Sequence, residues 1–306
     1  MLNEFDIIKR YFNPKFSGHP EIIQGIGDDA AVWQCEGATL LTSVDTLVSG
    51  RHFFEDCAPE DIAYKAFAVN LSDFAAMGAK PRWFTLALTL PNANETWLEK
   101  FSNSLFALAN EYDVVLIGGD TTQGPLTITI QIIGTVDKHK MLLRSNAEVG
   151  DLIYVSGTIG DAGLALNDPE NKAVTSKLNR PEPQVKLGLA LAGNANAAID
   201  ISDGLAQDLN HILEASHKGA DIYLEQLPLS EHLTKALSRV DAENLALCSG
   251  DDYQLCFTIA PNHPIIEALS LKHQLTCIGE ITQNPGLRIH RNGELIMPKS
   301  MGWQHF

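Results

Sequence analysis

The chain has 306 residues, of which 45% are hydrophobic and 20% are charged, a composition typical of a folded protein and not of a disordered one. Its 22 lysines and arginines against 38 aspartates and glutamates give a formal net charge of −16. Such a surface excludes nucleic acid and an anionic membrane as main partners, and a polyphosphate ligand would need cations from elsewhere.

The length predicts two domains of about 150 residues each. The five cysteines are scattered and form no CxxC pair, so we expect reduced thiols. The N-terminal segment MLNEFDIIKRYF carries acids and does not resemble a secretory signal. No apolar run approaches the roughly 20 residues of a membrane helix. We therefore expect a cytoplasmic protein without a membrane partner.

Predicted strands and helices alternate in the first half of the chain. The helix predicted over 59–81 has Pro59 in its first turn and Gly78 near its end. The apolar run at 113–120 predicts a buried strand, whereas alternation in 126–134 predicts a half-exposed antiparallel strand. The remaining elements predicted in this half are strands at 38–48 and 83–91 and a helix at 95–111.

A polar segment at 144–151 indicates a domain boundary, and strands and helices resume after it. The stretch 168–183 is predicted to be a surface excursion. The other predicted elements are a strand at 152–157, a strand–turn–helix unit at 197–216, strands at 253–259 and 276–281, and a hairpin turn within 290–295. This pattern favours an α+β fold with two α/β-mixed domains, 1–145 and 146–306, over one continuous parallel sheet.

The segment GIGDDAAV, residues 25–32, matches a dinucleotide-binding loop at first sight, and Asp45 follows at the distance of a ribose-binding acid. However, Asp28 and Asp29 would repel a pyrophosphate. Only seven residues, 30–36, separate Asp29 from the next glycine, Gly37, too few for the long helix that such a loop requires. The dinucleotide interpretation is therefore disfavoured.

Aspartates recur at loops and element ends throughout the chain. Two carboxylates about 4 Å apart repel by roughly 4 kcal/mol at a surface-like dielectric. Total stability is typically about 5–15 kcal/mol, so several such acids converge only around cations. Oxygen ligands favour Mg²⁺. The aspartates concerned are Asp28, Asp29, Asp45, Asp73, Asp120, Asp200, Asp203, Asp251 and Asp252.

Most of these acids also have a simpler explanation. Asp203 could cap a helix, and Asp120 and Asp251 could be turn residues. Asp73 is harder to explain in this way, because it lies in an apolar helix where an unpaired carboxylate is costly. Neither a GxxxxGK[ST] loop nor the protein-kinase motif set occurs. Together the acids predict one shared metal–phosphate site, although sequence alone does not show that they meet.

Six ordered segments resemble the successive motifs of the thiamine-monophosphate kinase family, within the superfamily of aminoimidazole ribonucleotide synthase and selenophosphate synthetase. They are GIGDDAAV, SVDTLVSGRHF, NLSDFAAMGAKPRWFTLALTLP, LIGGDTTQGP, IDISDGL and SGDDYQLCFT. The resemblance implies ATP-dependent phosphorylation of thiamine monophosphate to thiamine diphosphate, the last step of that cofactor's synthesis. It also implies several Mg²⁺ ions, two domains of the aminoimidazole ribonucleotide synthase type, and a homodimer joined through the N-terminal domains.

The resemblance also assigns site residues. The expected metal positions are Asp29, Ser43, Val44, Asp45, Asp73, Asp120, Asp200 and Asp203, with Asp73, Asp120 and Asp203 at the catalytic centre. The expected ATP contacts are Gly119, Asp120, Arg144 and Ser202. The expected contacts with thiamine monophosphate are His52, Asp251 and Trp303.

Three of these positions depart from the family pattern. Val44 replaces a usual threonine, so it offers a metal only its backbone carbonyl. Asp251 replaces a usual glutamate and has a shorter reach. Trp303 stands where an aromatic residue, often tyrosine, is found.

Two other functions compete with the kinase interpretation. One is a different enzyme of the same superfamily, which would share the metal site but use another substrate. The other is a non-catalytic nucleotide- or metal-binding module. The complete set of mutually repelling acids argues against the module, because a site without turnover has no physical reason to keep them.

Overall fold

The computed structural model describes residues 8, 20–298 and 300–303. Apart from Ile8, the predicted N-terminal segment MLNEFDIIKRYF lies outside the described residues. Among the described residues, helices long and apolar enough to cross a lipid bilayer are absent.

The first half of the chain forms a six-stranded sheet with the order β1-β2-β3-β6-β4-β5. Neighbouring strands are antiparallel except for the parallel pair β4–β5. The strands are β1 (Ile22–Gln24), β2 (Ala31–Cys35), β3 (Ala38–Val48), β4 (Lys80–Leu90), β5 (Val115–Gln123) and β6 (Thr127–Thr135).

In the part of the chain that the structure describes, this sheet is accompanied by the helices α1 (Pro59–Ala76) and α2 (Glu95–Glu111). Helix α1 is buried on nearly every side because it packs against the sheet, α2 and the second domain. It ends before the predicted residue 81, since Gly78 takes a φ of +62° and turns the chain into β4.

The second half forms a seven-stranded sheet with the order β13-β12-β9-β11-β7-β10-β8, antiparallel except for β9–β12. Its strands are β7 (Leu152–Ser156), β8 (Ala197–Asp200), β9 (Gly219–Tyr223), β10 (Leu255–Ile259), β11 (Leu275–Thr282), β12 (Gly286–Arg291) and β13 (Glu294–Ile296). Its helices are α3 (Asp161–Asn167), α4 (Lys172–Asn179), α5 (Val185–Leu191), α6 (Leu205–Ser216), α7 (Glu231–Ala236), α8 (Arg239–Cys248) and α9 (Ile265–Ser270), with short 3₁₀ turns at Arg144–Asn146 and Leu224–Gln226. The predicted α+β fold with two mixed domains is confirmed.

Two local predictions are wrong. The segment predicted as a buried strand at 113–120 is β5, the exposed edge of its sheet. A continuous apolar run does not distinguish an edge from a centre. The predicted surface excursion at 168–183 contains α4, which buries Val174 and Leu178. The predicted hairpin turn is confirmed, with Asn292 and Gly293 both at positive φ.

The two domains share part of one hydrophobic core, in which α1 meets α5. Their backbones approach closely at Gly188, where an added Cβ would lie 2.1 Å from the carbonyl oxygen of Ala75. Only glycine fits this contact, which places α1 directly against the second domain.

Candidate active site

Three carboxylates from separate elements meet between the two domains. Asp29 lies in the loop between β1 and β2, Asp73 on α1, and Asp200 at the end of β8. One carboxylate oxygen from each residue lies within 4.8 Å of the others. The structure thus brings together acids that are 171 residues apart in sequence (200 − 29).

Asp28 and Asp29 share one cation, Arg144. Its guanidinium donates two hydrogen bonds to Asp29, from Nη2 to Oδ1 at 2.6 Å and from Nε to Oδ2 at 3.2 Å. Its backbone N–H donates to Asp28 Oδ2 at 3.2 Å. Arg144 is itself held by Ser216, whose hydroxyl donates to its carbonyl oxygen at 2.7 Å. Arg144, predicted to contact ATP, therefore lies beside the acid cluster.

Burial and neighbouring charges raise the pKa values of Asp28, Asp73 and Asp200. Burial raises the pKa of Asp28 to about 7, and the charge of Asp29 adds to this. Burial also raises the pKa of Asp73 well above its usual range, followed by the charges of Asp45 and Asp200. For Asp200 burial again comes first, and the charge of Asp29 follows. These acids resist ionisation together unless a cation joins them.

Strand β3 carries three predicted metal positions. Ser43 donates a hydrogen bond from its hydroxyl to Asp73 Oδ2, which ties the strand to α1. Asp45 lies close enough to raise the pKa of Asp73. Val44 points to the opposite face, where its side chain is 59% exposed. The expected contribution of its backbone carbonyl to a metal site stays a prediction.

A cavity of about 600 Å³ adjoins the cluster through Asp45. All three predicted substrate residues line it: His52, Asp251 and Trp303. Its complete lining is Val44, Asp45, Thr46, Leu47, Gly50, Arg51, His52, Phe53, Phe54, Lys65, Val69, Leu166, Leu178, Ser202, Asp203, Ser249, Asp251, Tyr253 and Trp303. The cavity mixes aromatic, apolar and charged walls, as sites for small molecules generally do.

His52 and Trp303 both form part of the cavity wall. Val48 donates its backbone N–H to His52 Nδ1 at 3.0 Å, which leaves the proton of the neutral ring on Nε2 as a donor. The Trp303 backbone N–H donates to the carbonyl oxygen of Asp203 at 2.9 Å. The guanidinium of Arg51 lies over the Trp303 ring, 4.4 Å from its centroid. This ring face accepts a flat cation.

The turn between β8 and α6 carries Ser202 and Asp203. Asp203 does not cap α6; its carboxylate accepts a hydrogen bond from Gln207 at 2.8 Å. The turn is held by Asp208, which was not predicted. Asp208 Oδ2 accepts the backbone N–H groups of Ser202, Asp203 and Gly204 at 3.0–3.1 Å.

Gly119 and Asp120 lie apart from this arrangement in the described chain. Both are exposed on β5, outside the acid cluster and the cavity lining. Gly119 is required by packing, since an added Cβ would lie 1.9 Å from the carbonyl oxygen of Leu86. Their roles in binding ATP and metal stay predictions.

Sequence reasoning missed Lys65, Arg51 and Asp208. The signal for Lys65 was the one used for Asp73, a charged residue within the apolar helix AYKAFAVNLSDF. Arg51 stands directly before His52. Asp208 had no distinctive signal, because an acid in the first turn of a helix is common.

The residues present fit a divalent metal. The donors are carboxylate oxygens, the ligands preferred by Mg²⁺. Although Arg144 occupies both oxygens of Asp29, each oxygen keeps a second lone pair. Burial, followed by the charges of neighbouring carboxylates, raises the pKa values of Asp73 and Asp200, so a bound cation would favour their ionised forms.

Comparison with known proteins gives matches over nearly the whole chain. Residues 27–136 match the N-terminal domain of AIR synthase related proteins, and residues 148–292 match the C-terminal domain. A thiamine-monophosphate kinase of Escherichia coli strain K12 is 46% identical over 99% of this chain and 98% of its own length.

Two solved structures extend this likeness. The thiamine-monophosphate kinase of Stenotrophomonas maltophilia K279a is 44% identical, with a TM-score of 0.80 over 91% of this chain and 93% of its own. A structure of AaThiL complexed with AMPPCP and TMP is 30% identical, with a TM-score of 0.85 over 100% of this chain and 97% of its own.

Proposed function

Because the chain belongs to the AIR synthase related family and, within it, to the thiamine-monophosphate kinases, we propose that it transfers the terminal phosphoryl group of ATP to thiamine monophosphate. The product is thiamine diphosphate, so the reaction is the last step of its biosynthesis. The observation that carries the proposal is the adjacency of the acid cluster and the cavity. Asp45 lines the cavity and lies close enough to Asp73 to raise its pKa.

The chemistry demands positioning more than proton transfer. A phosphate oxygen of thiamine monophosphate forms a new bond to the terminal phosphorus of ATP, and the bond to ADP breaks with its electron pair leaving on ADP. The attacking oxygen is already anionic, so no strong general base is required. The main tasks are to align two polyanions and to screen their repulsion.

The acids would hold Mg²⁺ ions. We propose Asp29, Asp73 and Asp200 as ligands, with Asp45 and Asp203 at the edge of the cavity. Bound Mg²⁺ supplies the positive charge that screens the phosphate groups during transfer. Ser43 orients Asp73 through its hydrogen bond. The predicted contributions of Asp120 and of the Val44 carbonyl remain part of this proposal.

The remaining site residues divide between the two substrates. Arg144 is proposed to contact ATP, because it is the cation held beside the acid cluster. Ser202 and the predicted Gly119 complete that proposal. His52 would donate from Nε2 to thiamine monophosphate. Trp303 would stack on its cationic ring, since its face already attracts the Arg51 guanidinium.

A homodimer joined through the N-terminal domains is also proposed. Helix α1 packs on one face of the first sheet, whereas Val44 and Trp83 are exposed on the opposite face. The edge strand β5 exposes Val115 and Ile117. An open edge with apolar side chains favours pairing with a second chain.

We likewise propose the domain division 1–145 and 146–306 and a cytoplasmic location. The division is supported by the gap between β6, which ends at Thr135, and β7, which begins at Leu152. The location rests on the cysteine pattern of the sequence.

The test is incubation with Mg-ATP and thiamine monophosphate, followed by detection of thiamine diphosphate by mass spectrometry. We expect the diphosphate to form only when the metal is present. ATP consumption with a different acceptor and no diphosphate would favour another enzyme of the superfamily. Binding of Mg-ATP without turnover would favour a non-catalytic module.

A further inference from the structure

Lys65 is a buried cation between two predicted substrate residues. It lies on α1, and its side chain is only 3% exposed. Its ammonium nitrogen donates to the carbonyl oxygen of His52 at 3.0 Å and to Asp251 Oδ2 at 3.1 Å. Lys65 also lines the cavity. Burying an ammonium group is costly unless it is paired, so these two contacts fix where the nitrogen lies.

The two partners of Lys65 come from different domains. His52 follows β3 in the first domain, whereas Asp251 precedes β10 in the second. One ammonium group therefore links the two loops that would face the substrate.

The Asp251 loop is held tightly by its backbone. Asp251 has a φ of +60°, which is uncommon for a residue with a side chain, and its N–H donates to the carbonyl oxygen of Ser202 at 2.8 Å. An added Cβ at Gly250 would lie 2.3 Å from the same carbonyl oxygen. With the backbone fixed, the carboxylate is oriented by Lys65 and by the hydroxyl of Tyr253.

We infer that Lys65 is a positioning residue for the acceptor half of the site. It sets the His52 loop and the Asp251 carboxylate relative to each other, and thereby determines binding of thiamine monophosphate rather than of ATP. The inference rests on the proposed function. It is independent of the acid cluster, because the described contacts of the Lys65 ammonium are with the substrate loops and not with Asp29, Asp73 or Asp200.

A purely structural ion pair makes a different prediction. If Lys65 only joined the domains, its loss would lower the melting temperature and weaken both substrates together. If Lys65 positions the acceptor loops, its loss affects one substrate selectively. The two roles therefore separate in the KM values for the two substrates.

The experiment compares full-length Lys65→Met, Asp251→Asn and the double variant by steady-state kinetics. We expect each single change to raise the KM for thiamine monophosphate at least about tenfold and to leave the KM for ATP within about twofold. The double variant should be no worse than the worse single one, since both changes break the same link. Calorimetry should show the same selective loss of thiamine monophosphate binding.

Lys100→Met is the matched control, because it removes an exposed lysine that pairs with Glu60 at 3.3 Å. It should behave as the unmodified protein does. Unchanged kinetics in Lys65→Met, a parallel rise of both KM values, or multiplying effects in the double variant would overturn the inference. If Lys65→Met fails to fold, Lys65→Arg, which keeps the charge but changes where the donors lie, decides between selective and parallel effects. A lack of turnover in the unmodified protein would instead contradict the proposed function.

Discussion

At the scale of single residues, the central feature is a set of acids placed where burial and like charge act together. Asp73 and Asp200 have pKa values raised first by burial and then by neighbouring carboxylates. An arrangement of this kind costs stability when the acids ionise without a cation. The same arrangement gives a metal a high affinity, because binding removes the repulsion.

Asp73→Asn should abolish turnover while the fold is retained. The amide keeps the shape of the side chain but removes a negative charge from the cluster. We expect kcat to fall at least about a hundredfold, the scale at which loss of one stabilising group acts. The metal-free variant should melt a few degrees higher than the unmodified protein, since repulsion is relieved. Product formation measures kcat, and thermal unfolding with and without Mg²⁺ measures the melting temperature. Near-normal turnover would contradict the role assigned to Asp73.

The metal-free protein should become less stable as pH rises. A carboxyl group whose pKa is higher in the folded than in the unfolded chain binds its proton more tightly when folded. Asp28 therefore lowers stability as pH rises from 3.8 to about 7, and Asp73 and Asp200 act in the same direction. Each group contributes at most about 1.4 kcal/mol per pH unit.

Thermal unfolding in a chelator, compared between about pH 5 and about pH 8, measures this effect. Saturating Mg²⁺ should reduce the difference in stability between the two pH values, because it stabilises the protein most at the higher pH, where the acids are ionised. A chelated protein that is more stable at the higher pH would contradict the prediction.

At the scale of elements, the turn from β8 to α6 depends on one side chain. Asp208 accepts three consecutive backbone N–H groups and so shapes the segment that carries Ser202 and Asp203. Its role resembles that of a capping residue placed inside the first turn instead of before it. The turn also receives the C-terminal segment, through the Trp303 N–H.

Asp208→Ala should destabilise the protein and weaken ATP binding. Three N–H groups lose their acceptor, and unsatisfied buried donors cost about 1–3 kcal/mol each at most. We expect a loss of roughly 2–5 kcal/mol in the free energy of unfolding and a higher KM for ATP. Asp208→Asn is the matched control, because its amide oxygen still accepts hydrogen bonds. Its free energy of unfolding and its KM for ATP should lie between those of the unmodified protein and those of Asp208→Ala. Equal behaviour of Ala and Asn would show that the hydrogen bonds are not the cause.

The sequence predicted elements well where local signals decide them. β3 has the predicted bounds of 38–48, and the Asn292–Gly293 turn follows from residues that tolerate positive φ. β5 was predicted as buried from its local apolar run. The prediction failed because the position of a strand within a sheet is set by the whole chain and not by such a run. The stretch predicted as helical, 59–81, extends past the end of α1 at Ala76 because it included the expected cap residue Gly78 and Pro81 beyond it.

The candidate site, too, was predictable from the sequence only in part. The acids Asp29, Asp73 and Asp200 could be proposed from their placement, but their meeting point depends on the packing of two domains. Lys65 was missed because its partner Asp251 is 186 residues away and no local pattern links them.

At the scale of the whole molecule, β5 is the last strand of the first sheet among the residues that the structure describes. Ile117 and Val115 on β5 are each 56% exposed, and these exposed apolar side chains support the proposed homodimer. A charge introduced there would have to be buried on pairing, which is costly without a partner.

Ile117→Lys should therefore convert the protein to a monomer at concentrations where the unmodified protein is a dimer. Light scattering coupled to size exclusion measures the mass. Leu271→Lys is the matched control, since Leu271 is 84% exposed in the second domain. A dimeric Ile117→Lys variant, or a monomeric unmodified protein, would contradict the prediction.

The contact at Gly188 has a consequence for the catalytic cycle. Backbones that touch without an intervening side chain leave little room for α5 to slide on α1, so we expect the two domains to keep this contact throughout the reaction. We expect the reacting phosphates to be shielded from water by the surface segments that carry Arg51 and Trp303, which line the cavity. We expect the movement of these segments to limit the rate of product release. On ligand binding, hydrogen–deuterium exchange should slow in these segments, whereas α1 and α5 should stay equally protected.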